Sequence, residues 1–508
     1  MAKVELKSTT HSVQIDAIAG QGLRELLQQH FPEYPFPCGG AGTCGKCLVR
    51  VQGNVNSASK SESRLLREHD DFRLACYVEI QGDCSIEIPT DAGRQRIEST
   101  IHNHVTPGRP LYNGEFGFSV DIGTTTVVAY LFKRGNNSPD AIVSEVNAQK
   151  QFGNDVIARI AHANRNTVHP LQLAIRRQLN HMFLELCRKT GISANDVGGA
   201  CIAGNTVMLH LLAGHDPRSL GEAPFSMVSA YGDLFNLEFP DFPKLRSYLT
   251  PCISAYVGGD VVCSILASNM LAHSSSSLLI DAGTNGEIVL WSDGQLLCCS
   301  AAAGPAFEGT NISCGMQAQD GAIDAVWVNE GQLDYSVIGG GKAEGICGSG
   351  VIDVLYAARR VGLLDRKGRP TNSEVLHIGR SGLYLTRKDI GEVLLAKGAI
   401  RGAIETLLNQ LDLRAEHVNH VIFCGGFGNY IKPESAVGIG MIPSSLSGKI
   451  VSIGNAAGAG ASMALQNIEF VYQLEEISNC AEVLELSYSQ RFQKEYIRNI
   501  YFPNGGRD

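Results

Sequence analysis

No stretch of the 508 residues approaches the ~18 consecutive apolar residues of a membrane-spanning helix. The first twenty, MAKVELKSTTHSVQIDAIAG, alternate polar and apolar side chains and lack the continuous apolar run of a signal peptide. A cytoplasmic protein is expected. Positive charge is also short: 42 Lys and Arg stand against 51 Asp and Glu, a net charge of −9. That balance argues against nucleic acid and against anionic membrane as main partners. The 14 histidines include no H-x-x-x-H pair on one helix face. His210, in VMLHLLAG, reads as a satisfied core histidine, with a partner contact as the alternative. With 44% apolar and 18% charged residues, the chain is an ordinary globular protein, long enough for roughly two to four domains.

Cysteine is not short. Fifteen of them in a reducing compartment point to metal binding or core packing rather than to disulfides. Cys38, Cys44 and Cys47 lie in PFPCGGAGTCGKC with the spacing C-x5-C-x2-C, and Cys76 follows after 28 intervening residues, in FRLACYVEI. The glycines supply positive-φ backbone and close approach, as a loop wrapped around an inorganic core requires. A four-cysteine zinc site is the alternative, but zinc sites usually present two C-x2-C pairs, and Cys76 has no such neighbour. Cys84, in a segment that reads as a closing strand, is left out.

Around these cysteines, residues 1–18 read as a two-strand hairpin. GLRELLQQHF reads as an amphipathic helix with Leu23, Leu26, Leu27 and Phe31 on one face. CLVRVQG reads as a strand and SESRLLREHDDF as a helix; a strand bearing Cys76 and a final strand ending at Pro89 follow. The motif GGxGxCGKC followed by RLAC resembles the 2Fe–2S ferredoxins over about residues 1–90. The resemblance implies an α+β β-grasp domain holding one 2Fe–2S cluster on Cys38, Cys44, Cys47 and Cys76. Residues 91–115 are polar, hold two prolines and read as a linker.

A different signal begins at residue 116. FGFSVDIGTTTVVAYLF is strand, turn, strand, the turn carrying Asp121, Gly123, Thr124, Thr125 and Thr126. SSLLIDAGTNGEIVLW repeats the design 160 residues on, with Asp281, Gly283, Thr284, Asn285 and Gly286. One D-x-G-T turn is a weak signal; two suit a pair of phosphate-binding hairpins. Their N–H groups and hydroxyls would meet phosphate oxygens, and each Asp would hold Mg²⁺ through water. VIFCGGFGNYI delivers Gly425, Gly426 and Gly428, where adenosine can lie against backbone. AYVGGDVVCSILASNML and VSIGNAAGAGASMAL read as connecting helices whose small residues allow close crossing. This order resembles the ASKHA superfamily of actin, sugar kinases, acetate kinase and heat-shock chaperones. It implies an α/β two-lobed domain over 116–508 that binds ATP with Mg²⁺: lobe I about 116–275, lobe II about 276–465, and a C-terminal segment 466–508. Asp260, in VGGDV, begins the first connecting helix. Hexokinase-like relatives place a catalytic Asp there, so it would orient the attacking water; a capping role is the alternative.

A ferredoxin domain joined to an ASKHA domain resembles the reductive activators of corrinoid proteins. IAGNTVMLHLLAG, GPAFEGTNISCGM, EGICGSGVIDVLYAARRVG, LTRKDIGEVLLAKGAIRGAI and RFQKEYIRNIYFP look like that family as well. The resemblance implies ATP-dependent return of a partner's cobalt from Co(II) to Co(I) with an electron passed through the cluster. The partners implied are a corrinoid methyl-carrier protein and an external electron donor. A D-x-H-x-x-G motif, with which this chain would hold a corrinoid itself, is absent, so the cobalt belongs to the partner. Some relatives carry a sizeable middle domain, and the 25 residues of the linker leave no room for one; a homodimer stays open. Ser313 or Asn311, in the small-residue segment 301–323, would present an oxygen to the cobalt face. An ATP-coupled activator of a dehydratase and a redox-sensing binding protein are the rival readings.

Overall fold

The computed structural model describes the whole chain except residues 9–11, 32–33, 35, 37–41, 43–46, 67–71, 89–97, 102–107, 284, 310, 429 and 505–508, and the side chains of Leu65 and Phe427. Contacts divide it into two compact units. One holds residues 1–92, 146–179 and 210–228, the other residues 93–145, 180–209 and 229–508. Sequence boundaries at 90 and 115 do not anticipate the grouping of 146–179 and 210–228 with the N-terminal residues. Among the described residues, no helix is long and apolar enough to cross a membrane.

In the first unit, β1 (Ala2–Lys7) and β2 (Ser12–Ala17) form the expected antiparallel hairpin. Helix α1 (Leu23–His30) buries Leu23, Leu26 and Leu27, the face its periodicity predicts. Next come β3 (Leu48–Val55), α2 (Lys60–Leu65), β4 (Arg73–Leu74) and β5 (Ile80–Glu87). The strand order is β2-β1-β5-β3-β4, with β5 parallel to β1, the β-grasp arrangement. Helix α2 starts at Ser59, whose hydroxyl accepts from Glu62 N at 3.1 Å. Cys76 departs from expectation: it sits in the turn after β4, not in a strand. Tyr77 N donates to Leu74 O at 2.8 Å and closes that turn. Cys84 lies on β5 with its side chain in the core. His210 is fully buried, its Nε2 accepting from Val228 N at 3.2 Å, as a satisfied core histidine would be.

The second unit is built on two six-stranded sheets of one plan. In the first, β6 (Phe116–Ile122), β7 (Thr126–Lys133), β8 (Ala141–Val146), β9 (Val197–Gly204), β10 (Asp233–Phe235) and β11 (Arg246–Leu249) are ordered β10-β11-β9-β6-β7-β8. Helices α3 (Val156–Arg165), α4 (His169–Thr190) and α5 (Thr206–Ala213) fall between these strands in sequence, and α6 (Gly259–Ser268) follows them. The second sheet opens with β12 (Ser277–Ala282), β13 (Gly286–Ser292) and β14 (Gln295–Ala301). A small sheet, β15 (Ala322–Asn329), β16 (Gln332–Val337) and β17 (Gly345–Ile346), precedes α7 (Gly348–Arg360), the pair β18 (Leu376–His377) and β19 (Tyr384–Leu385), and α8 (Arg387–Gln410). The chain returns through β20 (His420–Cys424), α9 (Gly425–Gly428), α10 (Pro433–Gly438), β21 (Ile450–Ser452), α11 (Ala456–Gln466), α12 (Ile468–Cys480), β22 (Ala481–Val483) and α13 (Gln490–Asn499). The second sheet is ordered β21-β20-β12-β13-β14-β22.

In each sheet a central antiparallel hairpin, β6–β7 or β12–β13, has two parallel neighbours on its other side, β9 and β11 or β20 and β21. Strand β12 carries the apolar run Leu278–Ile280 because both of its faces are buried there: Leu278 and Ile280 enter one core, Leu279 the other. Cys298 and Cys299, neighbours on β14, divide between the same two cores, so they cannot ligate one metal together. The small residues of α6 and α11 do allow close crossing: a Cβ on Gly460 would lie 2.2 Å from Cys263 O.

Part of the stretch read as a linker is fastened to this unit. Asn455 N donates to Thr100 O at 3.0 Å, Leu111 N to Leu465 O at 3.0 Å, and Ile468 N to Arg109 O at 2.8 Å. The segment 466–508 contributes β22 to the second sheet. It also packs α13 on α8, where the buried Lys397 donates to the carbonyls of Asn499 and Tyr501 at 2.6 Å each.

Candidate functional site: a cysteine pair and an acidic cleft

Cys47 Sγ and Cys76 Sγ lie 3.3 Å apart. A disulfide would hold them at about 2.05 Å, whereas two thiolates on one tetrahedral metal with bonds of about 2.3 Å are roughly 3.8 Å apart. The spacing suits shared metal ligation. It is set by backbone: Ala75 N donates to Cys47 O at 2.7 Å. On the loop between the other cysteines, Gly42 takes φ +69, and a Cβ there would meet the Tyr77 phenol oxygen at 2.6 Å, a setting that favours glycine. Tyr77 OH donates to Gly42 O at 3.0 Å. Cys38 and Cys44 lie outside the described residues.

A second site occupies the second unit. A cavity of ≈390 Å³ is lined by both hairpins, with Asp121, Gly123, Thr124, Thr125 and Thr126 from one and Asp281, Gly283 and Asn285 from the other. Gly425 and Gly426 line it too, as does Asp260. Register explains the convergence. Asp121 lies opposite Val128 and beside Ala203; Asp281 lies opposite Glu287 and beside Cys424. Each aspartate thus holds the same place on the first strand of its sheet. Gly425 has φ +82, and a Cβ there would sit 2.0 Å from Asp281 Oδ1. Gly286 begins β13; Thr284 lies outside the described residues.

Burial raises all of these acids, and the Asp281 charge raises its neighbours further. Burial, then the Asp281 charge, pushes Asp121 up to about 7, with a hydrogen bond from Asn455 pulling the other way. Burial, then Asp281 and Asp121, pushes Asp260 up to about 8. Burial pushes Asp281 up to about 6 and Glu287 well above the usual carboxylate range, helped by Asp281 and Asp260. Clustered, partly desolvated carboxylates of this kind suit a divalent cation, whose charge restores their ionised forms. Asp260 Oδ1 accepts from Val261 N at 2.9 Å in the first turn of α6, whose N-cap is Gly258 without a side-chain cap, and it lines the cleft.

Sequence reading missed several residues that line this cavity: Glu98, Asn205, Glu287, Glu308, Ser349, Lys432 and Asn455. Glu287 was within reach, since a tight D-A-G-T-N-G-E hairpin sets 281 opposite 287. Asn455 caps α11 by accepting from Gly458 N at 2.8 Å and donates to Tyr130 OH at 3.1 Å. Lys432 Nζ is held at 2.7 Å by the buried Asp353, which also accepts from Ser435 Oγ at 2.6 Å. Ser313 and Asn311 do not line the cavity; both are exposed on the segment that follows the turn Pro305–Glu308. Ser313 N and Oγ donate to Asp389 Oδ1 at 2.8 and 3.0 Å.

Comparison with known proteins accounts for the whole chain. Residues 7–81 match a 2Fe–2S iron–sulfur cluster binding domain. Residues 275–508 match the C-terminal, ASKHA domain of RACo, and residues 116–273 match the RACo middle region. The middle region therefore coincides with the segment read as lobe I, which corrects the expectation that the chain has no room for one. The chain is 30% identical over 427 residues to the corrinoid activation enzyme RamQ of Eubacterium limosum, covering 78% of this chain and 71% of that protein. It is 29% identical over 359 residues to the [Co(II) methylated amine-specific corrinoid protein] reductase of Methanosarcina barkeri, covering 64% of each. A solved structure, the reductive activator for corrinoid, iron-sulfur protein, superposes with a TM-score of 0.69 at 27% identity over 99% of both chains. With its ferredoxin domain, its ASKHA domain and these relatives, the chain belongs to the family of reductive activators of corrinoid proteins.

Proposed function

We propose that this protein uses ATP to return the cobalt of a corrinoid methyl-carrier protein from Co(II) to Co(I). The 2Fe–2S cluster, held by Cys38, Cys44, Cys47 and Cys76, supplies one-electron transfer near −400 mV by typical values. The observation that carries the reading is one chain bearing both a cluster-type cysteine pair at 3.3 Å and two Asp-bearing hairpins that line one cleft. A kinase has no use for the first and a simple ferredoxin none for the second.

Asp121 and Asp281 would hold hydrated Mg²⁺. Gly123, Thr124, Thr125, Thr126, Gly283, Thr284, Asn285 and Gly286 would bind phosphate oxygens, and Gly425 and Gly426 would leave room for adenosine. Asp260 would orient the attacking water by accepting its hydrogen bond, the nearby cation's charge returning the carboxyl to its ionised form. Ser313 fits the role of presenting an oxygen to the partner: its O–H is spent on Asp389, which leaves lone pairs on an exposed atom. Forming Co(I) is uphill from the cluster, and each 100 mV costs about 2.3 kcal/mol per electron. ATP need not touch the electron. Favouring the complex with the Co(II) partner by roughly 5.5 kcal/mol would take a two-state equilibrium from 1:99 to 99:1, and hydrolysis to ADP and phosphate would then release the partner.

The test mixes reduced protein, a Co(II) corrinoid methyl-carrier protein and Mg-ATP, and follows Co(I) by its absorption. Co(I) should appear only with ATP present. Equal rates without ATP would remove nucleotide coupling from the reading.

A further inference from the structure

Thr125, on the first hairpin, donates its hydroxyl to Glu308 Oε2 at 2.9 Å. The two residues are 183 positions apart, and both line the cavity that contains Asp121 and Asp281. Glu308 ends the 3-10 turn Pro305–Glu308, which stands between Gly304 at φ 77 and Gly309 at φ 72. These are backbone settings natural to glycine, and a short element with such a residue at each end can pivot by changes at a few dihedrals. Beyond Gly309 the chain is interlocked. A Cβ on Gly309 would lie 2.4 Å from Met316 O, and one on Gly315 would lie 2.0 Å from Gly309 O. Gly315 N also donates to Ile312 O at 3.0 Å. The described residues among 309–316 are therefore one packed loop that follows Glu308, and it carries Ser313.

We propose that Glu308 is a positioning residue that senses the terminal phosphate of the nucleotide. With ADP bound, its carboxylate keeps the Thr125 hydroxyl. With ATP bound, the terminal phosphate competes for that hydroxyl, and its charge repels the carboxylate, shifting the Pro305–Glu308 turn and the loop behind it. Like charges that meet in a cleft shielded from water repel strongly, and only such a differential interaction lets ATP and ADP favour different conformations. The inference rests on the nucleotide reading above and deepens it by naming the route from nucleotide to the 309–316 loop. By linkage, whatever holds that loop in its ATP-bound setting must also raise the preference for ATP.

The experiment uses the full chain with Mg²⁺ and either ADP or a non-hydrolysable ATP analogue. Dissociation constants are measured by calorimetry for the wild type, Glu308→Gln and Glu308→Asp. The Gln variant keeps the shape and loses the charge, so it should favour the analogue over ADP by about tenfold more than wild type does, equivalent to about 1.4 kcal/mol. The Asp variant keeps the charge and should remain closer to the wild-type ratio. Amide hydrogen exchange over residues 309–316 should differ between the ADP and analogue states of the wild type and not between those of the Gln variant. Nucleotide binding with an unchanged ratio in the Gln variant, or exchange that responds alike in both proteins, overturns the inference alone. Wild-type protein that binds neither nucleotide overturns both the inference and the nucleotide reading.

Discussion

Arg73 grips Glu62 with both ends of its guanidinium fork: Nε donates to Oε1 at 2.7 Å and a terminal nitrogen to Oε2 at 3.0 Å. Glu62 is fully buried, and its Oε1 also accepts from Leu74 N at 2.9 Å. The pair fixes β4 two residues ahead of the turn that presents Cys76. Arg73→Ala should cost about 3–5 kcal/mol, since the fully buried Glu62 loses its counter-charge; Glu62→Ala should cost less, because Arg73 is partly exposed and still donates to Asn56 O. Thermal denaturation of the N-terminal unit, together with iron retained after gel filtration, reads this out. Variants that unfold and hold iron like wild type would show that the pair does not support the cluster loop.

Purified protein should contain about two irons and two sulfides per chain with a 2Fe–2S absorption and EPR signature. Replacing Cys47 or Cys76 by Ala should lose or alter it, as should replacing Cys38 or Cys44. Cys84→Ala should keep it, because that side chain packs in the core. Stoichiometric zinc in protein made under anaerobic, iron-replete conditions would overturn the ligand assignment.

Asp121→Ala and Asp281→Ala should abolish ATP-dependent activation and leave the cluster spectrum intact. Normal activation by either variant would remove the hairpins from the nucleotide site.

The cleft acids also predict a pH dependence of stability. Asp121, Asp260 and Asp281 have folded-state values of about 7, 8 and 6, raised from 3.8. Between those limits the folded chain binds more protons than the unfolded one, so these groups stabilise most fully at low pH and their contribution is lost as pH rises toward about 8. Without Mg²⁺ or nucleotide, the melting temperature should fall from about pH 5 to pH 8 more steeply in wild type than in Asp260→Asn. Parallel profiles would count against the coupling of these acids.

Gly460→Ala tests the crossing of α6 and α11. The added methyl meets Cys263 backbone, which cannot rotate away, so the helices must separate. Overpacking of this kind typically costs roughly 1–3 kcal/mol, visible as a lower melting temperature of the second unit.

What could be read beforehand follows from how far each constraint reaches along the chain. The approach of Cys47 to Cys76 and the two Asp hairpins follow from local patterns, and a hairpin carries its own register, so both were legible. The bond from Thr125 to Glu308 was not, because 183 residues separate its ends and neither sits in a pattern tied to the other. The stretch 91–115 looked free because polar residues without a period suggest no structure, yet at Thr100, Arg109 and Leu111 backbone amides and carbonyls do the fastening and leave no mark on side-chain type. Cys76 was placed in a strand because FRLACYVEI is apolar; the turn that presents it depends on the Tyr77 amide.

The cation of Lys397 has consequences for how the protein is made. It is buried, and its acceptors are carbonyls of residues 499 and 501, more than a hundred positions later. Strand β22, likewise, covers the outer edge of β14 only once residue 483 exists. On the ribosome the second sheet therefore waits with an open edge, and Lys397 waits for these two carbonyls, while the ferredoxin strands, finished by residue 87, are already out of the tunnel. Synthesis at about 5–20 residues per second separates those events by tens of seconds. The strands that frame Cys47 and Cys76 thus have time to pair before the outer edge of β14 is covered.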